Sequence, residues 1–343
     1  MSNKDLVEFF DKLDENEQFQ DVVSSGLRRL HKPAHPKKLP QELREFVSRQ
    51  DDSSRNFKFT YKAARFEAGW LLDSLGDFYE HKWIKDVLGR VKGGKEASVY
   101  LCRSGVALDA PLVAAKVYRP RSLRNLKNDA QYRVGRTDLD ESGNAIVKDG
   151  DLHAMQKRTK YGEELRHQSW IAYEFETLRL LRGAGGDVPK PYAMAKNAIL
   201  MGYMGDAATP APALCAVALE RSEAAELFER VLHNIDLLLA HDRVHGDLSA
   251  YNILYWQGDI ALIDFPQVVE PGKNPAAWRI FERDVTRICR YFAAQGVNVD
   301  ARKLAGDLWT SHGHKVAAEV HPSRLDAEKP EDRRLWERQK NNR

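Results

Sequence analysis

The sequence predicts an α+β fold in two lobes, preceded by a helical extension. Three observations carry that expectation: short β-branched runs crowded between residues 83 and 118, two amphipathic helical stretches with a strand between them over 170–242, and a charged loop at 244–252 that leads directly into two more apolar runs. The 343 residues are 43% hydrophobic and 30% charged, enough for two to three compact units. Fifty-three Lys and Arg against 50 Asp and Glu leave a formal charge of +3, too close to neutral to mark a nucleic-acid binder by itself. Cys102, Cys215 and Cys289 are widely separated and show no CxxC spacing, which argues against a disulfide framework or a structural zinc site and suits a reducing, cytoplasmic compartment. The opening MSNKDLVEFFDKLDENEQ has acids where a signal peptide needs bases and an apolar stretch, and no window approaches 18 apolar residues, so no membrane partner is expected.

Taken in order, residues 1–80 alternate charged and apolar side chains at helical spacing, as in Leu6, Phe9, Phe10 and Leu13, with HKPAHPKKLP at 31–40 as a linker. This is the expected N-terminal helical extension. From residue 81 a first lobe is expected to run to 205. KDVLGRV, EASVYLC and PLVAAKVY read as three successive antiparallel strands, with a Gly-Gly pair between the first two. The polar segment 119–168, containing GRTDLDESGN and a hairpin-like GNAIVKDGD, is too long for an ordinary connection and reads as a flexible loop. WIAYEFETLRLLRGAGG at 170–186 reads as a helix with Ile171, Phe175, Leu178 and Leu181 on one face and Glu174 among them. NAILMGYMG reads as a strand. A second lobe is expected over 206–320: SEAAELFERVLHNIDLLLAHD as a helix with Ser222 as its N-cap, then the charged loop, a hairpin of ILYW and IALID, and a last helix containing RDVTRICRYF. Residues 321–343 read as a charged tail.

Strands, helix, strand, helix, charged loop, hairpin and helix follow one another in the layout of a protein-kinase-like fold. In that fold a loop of the form H-x-D-x-x-x-x-N supplies a carboxylate that orients or deprotonates the attacking hydroxyl, while its amide and a second Asp one hairpin later hold a metal over the phosphates. Here VHGDLSAYNILYW sets Asp247 and Asn252 five apart, and Asp264 follows the hairpin. Magnesium, a hard cation, prefers such oxygen ligands. The same Asp and Asn would also serve as turn-forming residues, with His245 as a packing residue. Two further features favour the chemical reading. Lys116 sits inside the apolar run VAAKVY, where an unpaired ammonium is costly, and Glu174 is placed to pair with it. VKGGKEASVY supplies a turn whose backbone amides can cover phosphates.

The motifs together resemble the RIO family of atypical serine/threonine protein kinases. The resemblance rests on GGKEASVY at 93–100, AAKVY at 114–118, WIAYEFETLRLL at 170–181, ILMGYMG at 199–205, HGDLSAYNILY at 245–255 and IDFPQ at 263–267, and covers roughly residues 85–295. It implies a RIO-type two-lobed fold with a short C-terminal lobe that lacks an activation segment. It also implies Asp247 as catalytic aspartate, Asn252 and Asp264 as magnesium ligands, Lys116 and Glu174 as the phosphate-positioning pair, and Gly93, Gly94 and Lys95 in the nucleotide loop. Met201, Tyr203 and Met204 would form the hinge against adenine, and the 119–168 segment the family's flexible loop. Two departures stand out. Lys92 and Gly93 replace the Ser and Thr usual in the nucleotide loop, and Gly202 stands where a hinge glutamate is common. The activity implied is Mg-ATP-dependent phosphorylation of a protein or of the chain itself, or ATP hydrolysis, with an aspartyl-phosphate on Asp264 and a link to ribosome assembly among its finer implications. Two alternatives come from other classes. One is a small-molecule kinase of the aminoglycoside or choline type, against which Pro266 and Gln267 stand where those enzymes carry an acid. The other is a non-enzymatic scaffold that binds RNA or a ribosomal particle through HKPAHPKK, the 119–168 loop and RRLWERQKNNR.

Overall fold

The computed structural model describes residues 57–94, 96–119, 132–316, 325–326 and 328–340. The first lobe is built on an antiparallel sheet of β1 (Ile84–Lys92), β2 (Ala97–Ser104), β3 (Leu112–Tyr118), β4 (Pro191–Ala195) and β5 (Ala198–Gly202), in the order β1-β2-β3-β5-β4. The three strands expected from the β-branched runs form as read; β4, a short run beginning with proline, was not anticipated. β3 lies between β2 and β5 and is covered on both faces, so its side chains divide by period two. Val113, Ala115 and Val117 pack with the first described helix, α1 (Arg65–Glu80), whereas Ala114 and Tyr118 join the core on the opposite face. Lys116 shares that second parity, and this is how an ammonium inside an apolar strand reaches the cleft.

Helix α1 buries Trp70, Leu71, Leu75 and Phe78, spaced along one stripe, against Val87, Tyr100, Val113 and Leu200 of the sheet. The boundary expected at residue 80 therefore falls inside one packed body, because this stripe is buried in the sheet lobe's own core. The remainder of the expected extension, residues 1–56 with HKPAHPKKLP, lies outside the described residues.

The segment expected as one flexible loop over 119–168 contains ordered elements from residue 132 onward. Leu139 and Ala145 make a single bridge around a turn in which Asp140 Oδ1 accepts from the N–H groups of Ser142 and Asn144. A short helix, α2 (Asp149–Gln156), follows, and α3 (Lys160–Gly183) begins ten residues before the Trp170 expected from periodicity. The early turns of α3 lack an apolar stripe because they pack chiefly on α2. Gly162 makes this possible, since a Cβ there would stand 2.0 Å from the Ala154 carbonyl oxygen. Thr159 starts the helix by accepting from Gly162 N–H at 3.0 Å.

The second lobe holds α4 (Arg221–Ala240), the hairpin β6 (Ile253–Trp256) and β7 (Asp259–Leu262), α5 (Ala277–Ala294) and α6 (Ala301–Ser311); α7 (Pro330–Lys340) comes later in the chain. Ser222 does not cap α4: the N-cap is Glu220, without a side-chain bond, and Ser222 lies one residue inside. The hairpin turns on Gln257 and Gly258 alone, with φ of 51° and 88°, the left-handed pair a two-residue turn requires. α5 is not the last helix, and part of the expected charged tail is the helix α7. No helix among the described residues is long and apolar enough to cross a membrane.

Candidate active site

Lys116 and Glu174 of the first lobe and Asp247, Asn252 and Asp264 of the second come from four stretches of chain: β3, α3, the 244–252 loop and the loop after β7. Lys116 of β3 donates from Nζ to Glu174 Oε1 of α3 at 2.6 Å and to Asp264 Oδ1 beyond β7 at 2.8 Å. Tyr118, two residues along the same face of β3, donates its hydroxyl to the other Glu174 oxygen at 2.6 Å. Glu174 is thus fully engaged and buried, and its presence on the apolar face of α3 is explained. Burial alone would drive the Lys116 pKa down, but the charges of Asp264 and Glu174 outweigh it and hold the pKa above the usual lysine value, so the ammonium persists. Burial works to raise the Asp264 pKa; the adjacent Lys116 ammonium, with smaller help from His245 and Lys92, outweighs it and holds the carboxyl below its ordinary range. The Asp264 side chain is nevertheless 42% exposed, open to a ligand. Its backbone sits at φ 73°, a left-handed conformation uncommon outside glycine and often found at sites under functional constraint.

The loop carrying Asp247 is held from beneath. His245 is buried against Phe265, with Nε2 3.1 Å from the Ile263 carbonyl and Nδ1 accepting the Asp247 N–H at 3.3 Å. These two bonds require the tautomer protonated on Nε2, and burial lowers the imidazole pKa to about 4, keeping it neutral. Gly246 adopts φ 88°, and a Cβ there would lie 2.0 Å from the Gln267 carbonyl oxygen, so this position brings the loop against the segment after Asp264 as only glycine can. Asn252 donates Nδ2 to the Asp247 carbonyl at 2.9 Å and, at 3.3 Å, to Asp247 Oδ2. With its amide nitrogen turned to the loop, its amide oxygen is the group left for the cleft.

Three residues of α5 complete the arrangement, and sequence reasoning missed them. Asp284, buried, accepts the Gly246 N–H at 2.9 Å; its carboxyl is pushed up to about 6 by burial, with Arg283 working against the shift. Arg283 donates to the Gly246 carbonyl and pairs with Asp284 at 3.0 Å. Arg287 pairs with Asp247 Oδ1 at 2.7 Å, each side chain 40% exposed. The signal was present in RDVTRICRYF, whose Arg283, Asp284 and Arg287 share one face of a helix that otherwise buries Ile280, Phe281, Val285 and Ile288.

The remaining expected residues belong to the sheet lobe and the chain that leaves it. Gly93 and Gly94 form the turn between β1 and β2, where a Cβ on Gly94 would come 2.9 Å from the Ala97 carbonyl oxygen; Lys95 lies outside the described residues. Met201 is buried on β5 opposite Ala114, and Tyr203 and Met204 follow as the chain leaves the sheet, the Met204 carbonyl accepting from Ala211 N–H at 3.0 Å. Among the described residues no group of three His, Cys, Asp or Glu can hold a metal on its own. One amide oxygen and one carboxylate suit instead a hard cation that completes its shell with water and a ligand's phosphates, as magnesium does. Only residues 265–276 separate Asp264 from α5, too few for a peptide-docking activation segment.

The family profile described as "RIO domain" matches residues 116–304. The RIO-type serine/threonine-protein kinase Rio1 of Haloferax volcanii is 30% identical over 216 residues, 63% of this chain and 66% of that protein. The Rio1 of Thermoplasma acidophilum is 30% identical over 135 residues, 39% of this chain and 69% of the relative, and human serine/threonine-protein kinase RIO3 is 27% identical over 218 residues, 62% and 40% respectively. The chain thus spans less than two thirds of the human relative's length. Among solved structures, the Rio2 kinase-ADP/Mg2+-phosphoaspartate complex from Chaetomium thermophilum aligns with a TM-score of 0.46 at 20% identity, covering 82% of this chain and 81% of that one.

Proposed function

Because this chain belongs to the RIO family of serine/threonine kinases, we propose that it transfers the γ-phosphoryl group of Mg-ATP to a hydroxyl of a protein or of itself, or to water. The observation that carries the reading is the convergence of Lys116, Glu174 and Asp264 in one hydrogen-bonded trio beside the Asp247 and Asn252 loop. In this reading Lys116, held charged and fixed by Glu174, binds the α- and β-phosphates. Asn252 and Asp264 hold magnesium, which neutralises charge developing on the phosphates. Gly93, Gly94 and Lys95 cover the phosphates, and Met201, Tyr203 and Met204 face the adenine. Asp247 orients the acceptor hydroxyl and takes its proton. Arg287 and Asn252 both bond its carboxylate, so the group is fixed in direction before an acceptor arrives.

Asp264, exposed and ionised beside Lys116, is in addition a candidate nucleophile. In-line attack of its carboxylate oxygen on the γ-phosphorus would expel ADP and leave an acyl phosphate that water later cleaves to phosphate and free carboxylate. Incubation with γ-labelled ATP and magnesium should label the protein or release labelled phosphate, and Asp247→Asn should lower that turnover by roughly 10²–10⁴ while ATP affinity changes only a few-fold. Label released by hydroxylamine points to Asp264; label that resists it and maps to Ser or Thr removes the acyl phosphate. Turnover by Asp247→Asn at the wild-type rate would remove the catalytic assignment.

A further inference from the structure

The short stretch 132–136, on the return from β3 toward α3, bonds the segment after Asp264 directly and the Asp247 loop through Arg283. Tyr132 is buried, and its hydroxyl accepts from Arg283 Nη1 at 3.1 Å; through its other terminal nitrogen the same guanidinium donates to the carbonyl of Gly246, the residue before Asp247. Four residues later Arg136 Nη2 donates to the carbonyls of Pro266 and Val268 at 2.8 and 2.7 Å, two and four residues beyond Asp264. Its guanidinium lies 4.3 Å from the centre of the Tyr173 ring on α3, and the Tyr173 hydroxyl bonds Glu270 Oε1 at 3.1 Å. Between them Gly135, at φ 77°, passes so close to Lys273 that a Cβ would meet its carbonyl oxygen at 2.5 Å. The loops so gripped also hold each other, by paired backbone bonds of 2.9 Å in both directions between Val244 and Val269.

We propose that Tyr132 and Arg136 are positioning residues for phosphoryl transfer, acting as a strap that sets the Asp247 loop, through Arg283, and the Asp264 loop, through the carbonyls of Pro266 and Val268, in register with each other. The inference rests on the phosphotransfer reading above. Two carbonyls and an aromatic face, the latter shared with Arg243 at 5.5 Å, seat the planar Arg136 guanidinium, and what this secures is the segment that follows a residue in a left-handed backbone conformation. With only residues 265–276 before α5, that segment has no long excursion of its own to brace it. The stretch between β3 and α3 supplies the brace instead.

Steady-state ATPase or labelling assays on Arg136→Ala, Arg136→Lys and Tyr132→Phe test the strap, because sub-ångström to ångström errors of alignment cost about tenfold to hundredfold in rate. Arg136→Ala should lose kcat by about that factor with the Kd for Mg-ATP within about threefold, and millimolar methylguanidinium should restore part of the rate. Arg136→Lys, which lacks the planar group, should not recover it, and Tyr132→Phe should lose a smaller factor. Unchanged kcat in Arg136→Ala, or a loss that tracks a fall in thermal midpoint and ignores methylguanidinium, overturns the proposal. Amide hydrogen exchange keeps the two readings apart. Arg136→Ala should speed exchange at residues 244–248 and 265–269, and no change there overturns the strap even if wild type turns over no ATP, a result that by itself would remove the phosphotransfer reading.

Discussion

His245 shows how much of a residue's role is decided by partners far away in sequence. Its ring is closed in by Phe265 and by the Ile263 carbonyl, 18 residues on, and burial lowers its pKa from the ordinary 6.5 to about 4. Between pH 6.5 and 4 the unfolded chain therefore takes up a proton that the folded chain refuses. Stability tied to the neutral ring is complete above pH 6.5 and is lost as pH falls toward 4, about 3 kcal/mol in all. Asp284, raised from 3.8 to about 6, acts in the opposite sense between pH 6 and 3.8, so the clean quantity is a difference between variants. Urea unfolding should show the margin of wild type over His245→Gln shrinking steadily from pH 6.5 to 4; a margin independent of pH contradicts the buried neutral ring. At this scale the sequence marks Lys116 and Glu174 as polar residues in apolar runs and Asp247, Asn252 and Asp264 by their spacing, and the structure brings Lys116, Glu174 and Asp264 into one trio and Asp247 and Asn252 into one loop. Arg287 and Asp284 carry no such mark, since their partners lie 40 and 38 residues away and nothing local in a helix reveals what it will face.

Gly246 is where one loop depends on another. With φ 88° and the Gln267 carbonyl oxygen 2.0 Å from any Cβ, Gly246→Ala must either strain the backbone, at about 1–2 kcal/mol for the left-handed conformation alone, or part the two loops. The expected outcome is a lower thermal midpoint together with a kcat reduced about tenfold to hundredfold, since Asp247 is the next residue. Unfolding and turnover measured on the same preparation check this, and an unaffected kcat would mean that the contact does not position Asp247. The elements differ in how plainly the sequence marks them. Strands β1 to β3 and the hairpin declared themselves through β-branched runs and turn residues. The first turns of α3 and all of α2 did not, because their packing partner is another polar helix and Gly162 contributes closeness rather than a hydrophobic side chain. The helical spacing of α1 is plain in the sequence but its place in the sheet lobe is not, since a stripe of Trp70, Leu71, Leu75 and Phe78 states that something will cover it without stating what.

Across the whole molecule, the two-lobed layout followed from the order of elements, and the relation between lobes from a few long-range pairs that the order alone does not contain. Lys116 is the principal one, joining β3 and α3 of the first lobe to the loop after β7 in the second. Lys116→Ala should weaken nucleotide binding and turnover together. It should also cost about 3 kcal/mol of stability, because Glu174 is left buried with only Tyr118 as partner. Thermal unfolding with and without Mg-ATP reads both effects, and a variant with wild-type stability would show that Glu174 needs no cation. The same trio carries a further consequence. One ammonium between two carboxylates leaves a net charge of −1 at the place proposed for a triphosphate, so a divalent cation offsets the repulsion the nucleotide meets there, and a bound nucleotide adds anionic oxygens that attract the cation. Their free energies are then linked, and linkage is reciprocal: the factor by which magnesium tightens ATP must equal the factor by which ATP tightens magnesium at this site. Calorimetric titrations performed in both orders should close that cycle, and equal ATP affinity with magnesium and with EDTA would show that Asp264 and Asn252 do not take part in it.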